Sequence, residues 1–427
     1  MNLDVAVADV IGDVAIVIVL SSLLGAAARR CGQPAAIGQI LTGILLGPSL
    51  LGRLPGHLTN RLFPHHALPY LSVLSQVAVV IFMFVVGYEI DFRSLRGRGR
   101  AVPLVASSAL LVPMGLGAAS VLLFRTEFAA TGEHHTDSRS FVLFMAVATS
   151  VTALPVLAAI ARERGLAGTT AGTVATSAAG IMDVTAWLVL AAALIGTRYS
   201  ANRPWVVTLL LIACFAAIML FAVRPAIRWR IGRPGSLLTN PVPIAFALTM
   251  GSAWVTASLG LHPVFGAFLA GLTMPGRNGA PDAEVIRPME EVGNLLLPLF
   301  FVITGLSLNI GALHGDALAL LALVFVIASV GKLGPAFAAA RLGGLDPRQS
   351  ATVAALVNTR GLTELIALNV GLNNGIIHQR LFTILVLMAL ITTIMTSPLL
   401  SLVGRMRAQP PSGEPLLAVP SASADET

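Results

Sequence analysis

Four charged side chains lie deep within otherwise apolar runs of this chain: Asp183, Lys332, Arg360 and Glu364. Charged groups at membrane depth are costly, and by default they mark ion or proton pathways. Lys332 is the only lysine in the chain. A buried lysine can lose its proton, whereas an arginine effectively cannot. These four residues therefore predict ion or proton chemistry within a membrane.

Asp183 is the first candidate for that chemistry. It lies in the apolar run 169–195, where a carboxylate facing lipid is excluded, so we expect it to face a water-filled cavity or a partner. Two interpretations remain open. Asp183 binds a transported ion or proton, or it forms a static helix–helix ion pair with Lys332, which would be weak evidence of stabilisation.

A group of hydroxyls precedes a proline in the run 140–161. Thr149, Ser150 and Thr152 come just before Pro155, which removes a backbone hydrogen bond and obstructs the carbonyl one turn back. Carbonyls freed beside hydroxyls are suited to a small cation. The alternative is an ordinary proline kink.

A second polar cluster interrupts the run 348–373. It contains Asn358, Arg360, Gly361 and Glu364, and the spacing of Arg360 and Glu364 also permits an internal ion pair on one helix face. Paired interruptions in corresponding halves of a chain indicate a transporter site between inverted repeats. The fifth and twelfth apolar runs occupy such positions if repeats of six runs flank the seventh.

The composition indicates an integral membrane protein. The chain has 427 residues, of which 56% are hydrophobic and 11% charged, against roughly 25% charged in soluble domains. This excludes a soluble enzyme, a disordered protein and a nucleic-acid-binding module. The net charge of +7 fits arginine-rich loops on one side of a membrane. Cys31 and Cys214 form no metal-binding or disulfide pattern.

The hydropathy pattern predicts an all-α polytopic protein with about thirteen transmembrane helices. The predicted spans are 11–28, 34–51, 71–90, 101–124, 140–161, 169–195, 205–224, 240–259, 262–276, 289–309, 316–340, 348–373 and 381–403. With the N-terminus outside, the inner loops carry 18 arginines and the outer loops 7. This asymmetry predicts an external N-terminus and a cytoplasmic C-terminus.

Seven motifs in a fixed order resemble a known family. The chain is similar to the cation:proton antiporter-2 family of the sodium/hydrogen exchanger superfamily, and within it to the CHX-type cation/proton exchangers. The resemblance runs from about residue 37 to 398. The motifs are GILLGPSLLG (43–52), FVVGYEID (84–91), TSVTALP (149–155), SAAGIMDVTAW (177–187), LFFVITGL (299–306), GK (331–332) and NTRGLTEL (358–365).

The resemblance implies a homodimer of chains that each contain two inverted repeats of six spans, with spans five and twelve crossing as broken helices. It implies that Asp183 binds the ion or proton, with Thr149 at the broken helix and Lys332 nearby. Two features depart from the family. Met182 precedes Asp183 where electrogenic relatives typically have a second aspartate, and we expect no long soluble tail of the kind that CHX-type proteins carry.

The same resemblance divides the chain into a scaffold, a core and a linker. The scaffold would comprise 1–100 and 236–312, the ion-transport core 101–197 and 313–404, and the linker helix 198–235. We expect a disordered cytoplasmic tail at 405–427.

We expect a secondary antiporter in a bacterial plasma membrane that exchanges protons for Na⁺ or K⁺. Asp183, Thr149, Ser150 and Thr152 would bind the ion or proton, and Lys332, Arg360, Glu364 and Asn358 would be the charged and polar partners in the core. We expect no catalytic activity, no cofactor and no nucleic-acid partner. The alternatives are a cation-coupled organic-solute symporter and an intramembrane aspartyl protease, which would need two carboxylates sharing a proton.

Overall fold

Every regular element in the described part of the chain is a helix. The computed structural model describes residues 3–53, 59, 62–64, 66–89, 100–129, 138–194, 205–231, 240–277, 281–313 and 315–405. The tail predicted at 405–427 lies outside the described residues beyond Arg405.

The first half of the chain forms seven main helices. They are α1 (Leu3–Arg30), α2 (Ala35–Leu46), α3 (Leu68–Glu89), α4 (Ala101–Leu123), α5 (Ser138–Ser150), α6 (Leu154–Glu163) and α7 (Thr170–Leu194). A 3₁₀ turn, Leu51–Arg53, follows α2, and a short helix, Arg125–Ala129, follows α4.

The linker and the second half contain nine further helices. They are α8 (Trp205–Ile218), α9 (Arg224–Ile231), α10 (Pro241–Ser258), α11 (Pro263–Thr273), α12 (Ala283–Leu306), α13 (Asp316–Leu342), α14 (Pro347–Val357), α15 (Leu362–Asn373) and α16 (Gln379–Arg405). A π-helical segment, Met219–Val223, joins α8 to α9, and a 3₁₀ turn, Ile310–Ala312, follows α12.

The predicted membrane spans coincide with these helices. Within the described residues, nine helical stretches are long and apolar enough to cross a membrane, and α2 and α11 are shorter apolar helices. The all-α class is confirmed, and each of the thirteen predicted runs falls on helix. That all thirteen cross the membrane stays a prediction.

The helices pack into two groups. In the first group, α12 packs against α1, α2 and α3, and α11 packs against α3 and α10. In the second, α4 packs against α5 and α13, while α14 packs against α7, α13 and α16. Helices α6 and α15 also belong to the second group, since α6 packs against α7 and α14, and α15 packs against α5 and α16. The division into scaffold and core stays a prediction.

Two glycine contacts hold the first group together. A methyl group added at Gly43 of α2 would overlap the Val302 carbonyl oxygen of α12, and one added at Gly271 of α11 would overlap the Phe84 carbonyl oxygen of α3. Because these helices touch backbone to backbone, no larger residue fits at either position.

Candidate ion-binding site at two crossed helix breaks

The first helix break separates α5 from α6. Helix α5 ends at Ser150 and α6 begins at Leu154, with Ala153 in an extended conformation between them. Pro155 lies in the first turn of α6, where the missing N–H leaves no hydrogen bond unmade and the fixed φ favours the helix. The interruption predicted at this proline is confirmed, and it is a complete break, not an ordinary kink.

The second break separates α14 from α15, and it crosses the first. Helix α14 ends at Val357 and α15 begins at Leu362. The backbone N–H of Ala153 donates to the Thr359 carbonyl at 3.1 Å, and the Thr152 hydroxyl donates to the Val357 carbonyl at 3.0 Å. The two breaks therefore satisfy part of each other's backbone hydrogen bonding, as crossing broken helices require.

Two cationic side chains bind the carbonyl end of α5. Lys332 Nζ donates to the carbonyls of Ser150 at 2.5 Å and Val151 at 2.7 Å. Arg360 donates to the carbonyls of Ala148 at 2.8 Å and Thr149 at 2.5 Å. The C-terminus of a helix carries partial negative charge and unpaired carbonyls, so both cations lie where the helix attracts them.

This arrangement corrects one prediction from the sequence. We expected the freed carbonyls near Pro155 to be available to a small cation, but Lys332 and Arg360 already occupy four of them. The carbonyl end of a helix favours positive charge of any kind, and the cationic side chains supply it within the protein itself.

Asp183 lies on the other side of the first break, at the start of α6. It is on α7 with 0% exposure, and its Oδ2 accepts a hydrogen bond from the backbone N–H of Leu154 at 3.3 Å. Leu154 begins α6, so the carboxylate faces a helix N-terminus, which favours negative charge. Asp183 Oδ1 is buried and has no hydrogen-bond partner among the described residues.

Asp183 and Lys332 are not joined as an ion pair. Among the described residues, the ion pairs formed within 4.0 Å do not include Asp183–Lys332. The static pair that the sequence left open is therefore not formed. The carboxylate and the ammonium instead bind opposite sides of the same helix break.

Arg360 and Glu364 form the internal ion pair that their spacing predicted. The distance from Arg360 Nη1 to Glu364 Oε1 is 2.9 Å, and both side chains are fully buried. Glu364 Oε2 has no hydrogen-bond partner among the described residues. The opposite charges of Arg360 and Glu364 therefore cancel each other at the second break.

The remaining predicted residues are all buried at the breaks. The Thr149 hydroxyl donates to the Pro113 carbonyl of α4 at 2.9 Å, and that of Ser150 donates to the Val147 carbonyl at 3.0 Å. Both hydroxyl oxygens keep lone pairs that can accept or coordinate. The Asn358 side-chain oxygen and nitrogen have no hydrogen-bond partner in the described part of the chain.

Sequence reasoning missed a third deep carboxylate, Asp13. It lies on α1 with 4% exposure, one helical turn from Asp9, which pairs with His66 at 2.8 Å. Asp13 lies near the start of the first apolar run (11–28), so the hydropathy pattern placed it at the edge of the predicted membrane span. The i,i+4 spacing of Asp9 and Asp13 was the signal available.

Two cavities lie at opposite ends of α3. The first, of about 530 Å³, is lined by residues at the end of that helix, including Glu89, and by Leu154 and Pro155 of α6. The second, of about 670 Å³, is lined by residues at its start, including Gln76, and by Asn369 of α15. We call them the Glu89 cavity and the Gln76 cavity.

The Glu89 cavity is the one that approaches Asp183. Its lining residue Leu154 donates the hydrogen bond to Asp183. Near the Gln76 cavity, Asn369 of α15 donates a hydrogen bond to the Thr304 hydroxyl of α12 at 3.1 Å, which joins the two helix groups at that end. The Glu89 cavity therefore reaches the start of the helix that binds Asp183, while Asp183 itself is buried.

Crossed helix breaks, buried charges at the crossing and a cavity at each end together define a membrane transport protein. The chain belongs to the sodium/hydrogen exchanger family of transmembrane proteins, whose model matches residues 16–402. This is a family of transporters and not of enzymes.

Relatives of known name support this assignment. The chain is 34% identical to the Na(+)/H(+) antiporter NhaS4 of Synechocystis, over 91% of this chain and 96% of that protein. It is 37% identical to Cation/H(+) antiporter 15 of Arabidopsis thaliana, over 87% of this chain and 45% of that protein. It is 33% identical to K(+)/H(+) antiporter 1 of Saccharomyces cerevisiae, over 87% and 43%. The chain thus spans about half the length of the plant and yeast relatives.

A solved structure shares the fold. The sodium proton antiporter MjNhaP1 of Methanocaldococcus jannaschii superimposes with a TM-score of 0.65, covering 94% of this chain and 99% of that one at 15% identity.

Proposed function

We propose that this protein is a secondary antiporter that exchanges protons for Na⁺ or K⁺, with Asp183 as the group that binds either the proton or the cation. One observation carries the proposal: Asp183 is fully buried, yet its Oδ1 has no hydrogen-bond partner among the described residues. A buried carboxylate oxygen needs a proton, a cation or a donor. A site that alternates between the first two performs exchange.

The surrounding charges make this competition possible. Lys332 and Arg360 bind the carbonyl end of α5, Glu364 neutralises Arg360, and Asp183 faces the N–H end of α6. With two cations and two carboxylates, the crossing is neutral when Asp183 is ionised and gains one positive charge when it binds a proton or a monovalent cation. The proton and the cation therefore compete for the same electrostatic position.

Hydroxyl oxygens complete the proposed cation site. Thr152 lies in the first break beside Asp183, and its hydroxyl contacts the Met182 sulfur at 3.9 Å. Thr149 and Ser150 end α5 on the other side of the same break. Hard cations such as Na⁺ and K⁺ prefer oxygen ligands, so we propose these hydroxyls and the free amide of Asn358 as the remaining ligands and polar partners.

The two cavities support alternating access. The Gln76 cavity is lined by the first part of α3, from Ser72 to Val80, and the Glu89 cavity by the second part, from Phe82 to Glu89. Of the two, only the Glu89 cavity is lined by a residue bonded to Asp183. The arginine count predicts that this end is cytoplasmic. We propose that the structure is the inward-facing state and that the Gln76 cavity opens in the outward-facing state.

The proposed division into scaffold and core follows the packing of the helices. The first group of helices would be the scaffold (1–100 and 236–312), the second the moving core (101–197 and 313–404), and α8–α9 the linker within 198–235. The exposed apolar faces of α1 and the linker are available to lipid and to the second copy of the proposed homodimer. We propose a bacterial plasma membrane as the location.

Matched glycines support two inverted repeats of six spans. Gly38 and Gly43 of α2 contact α1 and α12, whereas Gly266 and Gly271 of α11 contact α10 and α3. Each pair is five residues apart. If α2 is equivalent to α11 and α3 to α12, the contact of α2 with α12 becomes that of α11 with α3, as two repeats related by a two-fold axis require. The seven predicted spans from the first to the eighth then make the second repeat inverted.

The proposed function is tested by proton movement in proteoliposomes. Addition of Na⁺ or K⁺ to vesicles with an acidic interior should dequench a pH-sensitive dye without any organic solute. The same measurement with Li⁺ and Rb⁺ gives the order of cation selectivity. Dequenching that requires an added organic solute would instead indicate the symporter. Absence of cation-driven proton movement at every pH from 5 to 9 would refute antiport.

A further inference from the structure

Opposite charges line opposite walls of the Glu89 cavity. Glu89 at the end of α3 and Glu290 of α12 belong to the first helix group, whereas Arg162, in the last turn of α6, belongs to the second. Glu89 and Glu290 lie near enough to affect each other electrostatically, and Arg162 acts on Glu89 in the opposite sense. The charged lining of this cavity therefore consists of two acids facing one base.

These charges are not in contact in the present state. Among the described residues, ion pairs within 4.0 Å are formed elsewhere and include none of Arg162, Glu89 and Glu290. The cavity of about 530 Å³ lies between the two walls. Charges placed to attract each other across a cavity reach contact when the cavity closes.

Helix α6 links this end of the molecule to the ion site. Leu154 at its start donates to Asp183, and Arg162 lies eight residues further along the same helix. Any movement of α6 towards α3 and α12 therefore carries Arg162 to the acids while it removes the path from the cavity to Asp183.

We propose that Arg162, Glu89 and Glu290 form an ion-paired gate that closes the Glu89 cavity when Asp183 faces the other side. The gate rests on the alternating access proposed above. Two acids repel each other when the cavity is open, and the guanidinium relieves that repulsion when it closes, since its fork of donors can bind both carboxylates. The charges therefore favour the closed state of this end and do not take part in ion binding at Asp183.

The gate is tested by the accessibility of a cysteine within the cavity. Ala158 lines the cavity, so Ala158→Cys, in a chain whose Cys31 and Cys214 are replaced by serine, reports opening by its rate of labelling with a charged maleimide. Arg162→Glu should raise that rate about threefold, a change within the range of an exposed ion pair. The double variant Arg162→Glu with Glu290→Arg restores opposite charges across the cavity, so its labelling rate should return towards that of the parent.

The matched control is Arg164→Glu. It makes the same change in charge two residues away, but Arg164 does not line the cavity and donates to Ser401 within its own helix group. Its labelling rate should equal the parent's. An unchanged rate in Arg162→Glu, or a failure of Glu290→Arg to restore it, would overturn the gate.

A cross-link provides a second measurement that does not depend on charge reversal. Cysteines at 162 and 290 should form a disulfide under mild oxidation only if closure brings their Cα atoms within about 7 Å, whereas cysteines at 164 and 290 should not. Absence of the first cross-link would also overturn the gate. Neither assay requires transport, so a failure of antiport with positive cross-linking would refute the proposed function and leave the gate standing.

Discussion

At the residue scale, Asp183 is the side chain that we propose binds the proton or the cation. Asp183→Asn keeps the volume and can still accept the hydrogen bond from Leu154, but an amide neither titrates nor balances a cation. We expect complete loss of cation-driven proton movement in proteoliposomes, with a melting temperature in detergent close to that of the parent.

A carboxylate outside the site provides the control for that substitution. Asp316 is an exposed residue at the start of α13, so Asp316→Asn should retain transport. If Asp183→Asn exchanges protons for cations as the parent does, Asp183 is not the residue that binds the ion.

Lys332 is expected to contribute chiefly to stability. It binds the carbonyls of Ser150 and Val151, and its removal leaves two buried acceptors unpaired. Lys332→Ala should therefore lower the free energy of unfolding by roughly 2 kcal/mol or more, measured as a lower melting temperature in detergent.

The control for this loss is a hydroxyl on the same helix. Ser329 lies three residues earlier on α13, and its buried hydroxyl has no hydrogen-bond partner among the described residues. Ser329→Ala should leave the melting temperature unchanged or raise it. If Lys332→Ala and the parent have the same melting temperature, the lysine does not cap α5 in solution.

At the element scale, the close crossings of the first helix group depend on glycine. A methyl group at Gly271 would overlap the Phe84 carbonyl oxygen, whereas one at Gly251 of α10 would meet nothing within 4 Å. We expect Gly271→Ala to lower thermal stability, because α11 and α3 must separate to admit it. Gly251→Ala should be neutral or stabilising by up to about 1 kcal/mol, since alanine favours helix.

Thermal stability of both variants can be compared by size-exclusion chromatography after heating. If the two alanine variants melt alike, the backbone contact between α3 and α11 is not present in the folded protein.

At the scale of the whole molecule, the number of carboxylates that titrate at the ion site sets the charge moved per cycle. Met182 occupies the position where electrogenic relatives typically have a second aspartate, and Glu364 is held in an ion pair with Arg360. One carboxylate exchanging one proton for one cation moves no net charge. We therefore expect electroneutral transport, with no sustained current on a solid-supported membrane after a cation jump.

An electrogenic cycle would respond to voltage by about 2.3 kcal/mol per net charge per 100 mV. Lys332 is the group that could supply a second proton, but it is held by two carbonyls and not by Asp183, so cation binding at Asp183 breaks no bond of the lysine. A sustained current that disappears in Lys332→Gln, with exchange retained, would overturn this expectation.

The membrane class and the helical runs could be predicted from the sequence alone, which also indicated an interruption near Pro155 and singled out Asp183 as a candidate. These follow from local properties. An apolar run long enough to span lipid can be recognised from its own residues. The same is true of a proline, which lacks the N–H that a helix needs, and of a carboxylate in an apolar run, which is costly to bury without a counter-charge. The Arg360–Glu364 pair is present as their spacing suggested, but the helical reason was wrong, because Arg360 lies in the break and only Glu364 is on α15.

Which groups meet depends on the tertiary structure. The sequence suggested Asp183 as the partner of Lys332 and did not indicate the carbonyls of Ser150 and Val151 that it binds. Nor did it indicate that Arg162 faces Glu89 and Glu290 across a cavity. Backbone carbonyls are present at every residue and leave no mark in the sequence, so the identity of the freed ones depends on where a helix ends. Charges on separate helices meet or stay apart according to how those helices pack, and that packing is fixed by backbone contacts such as those at Gly43 and Gly271.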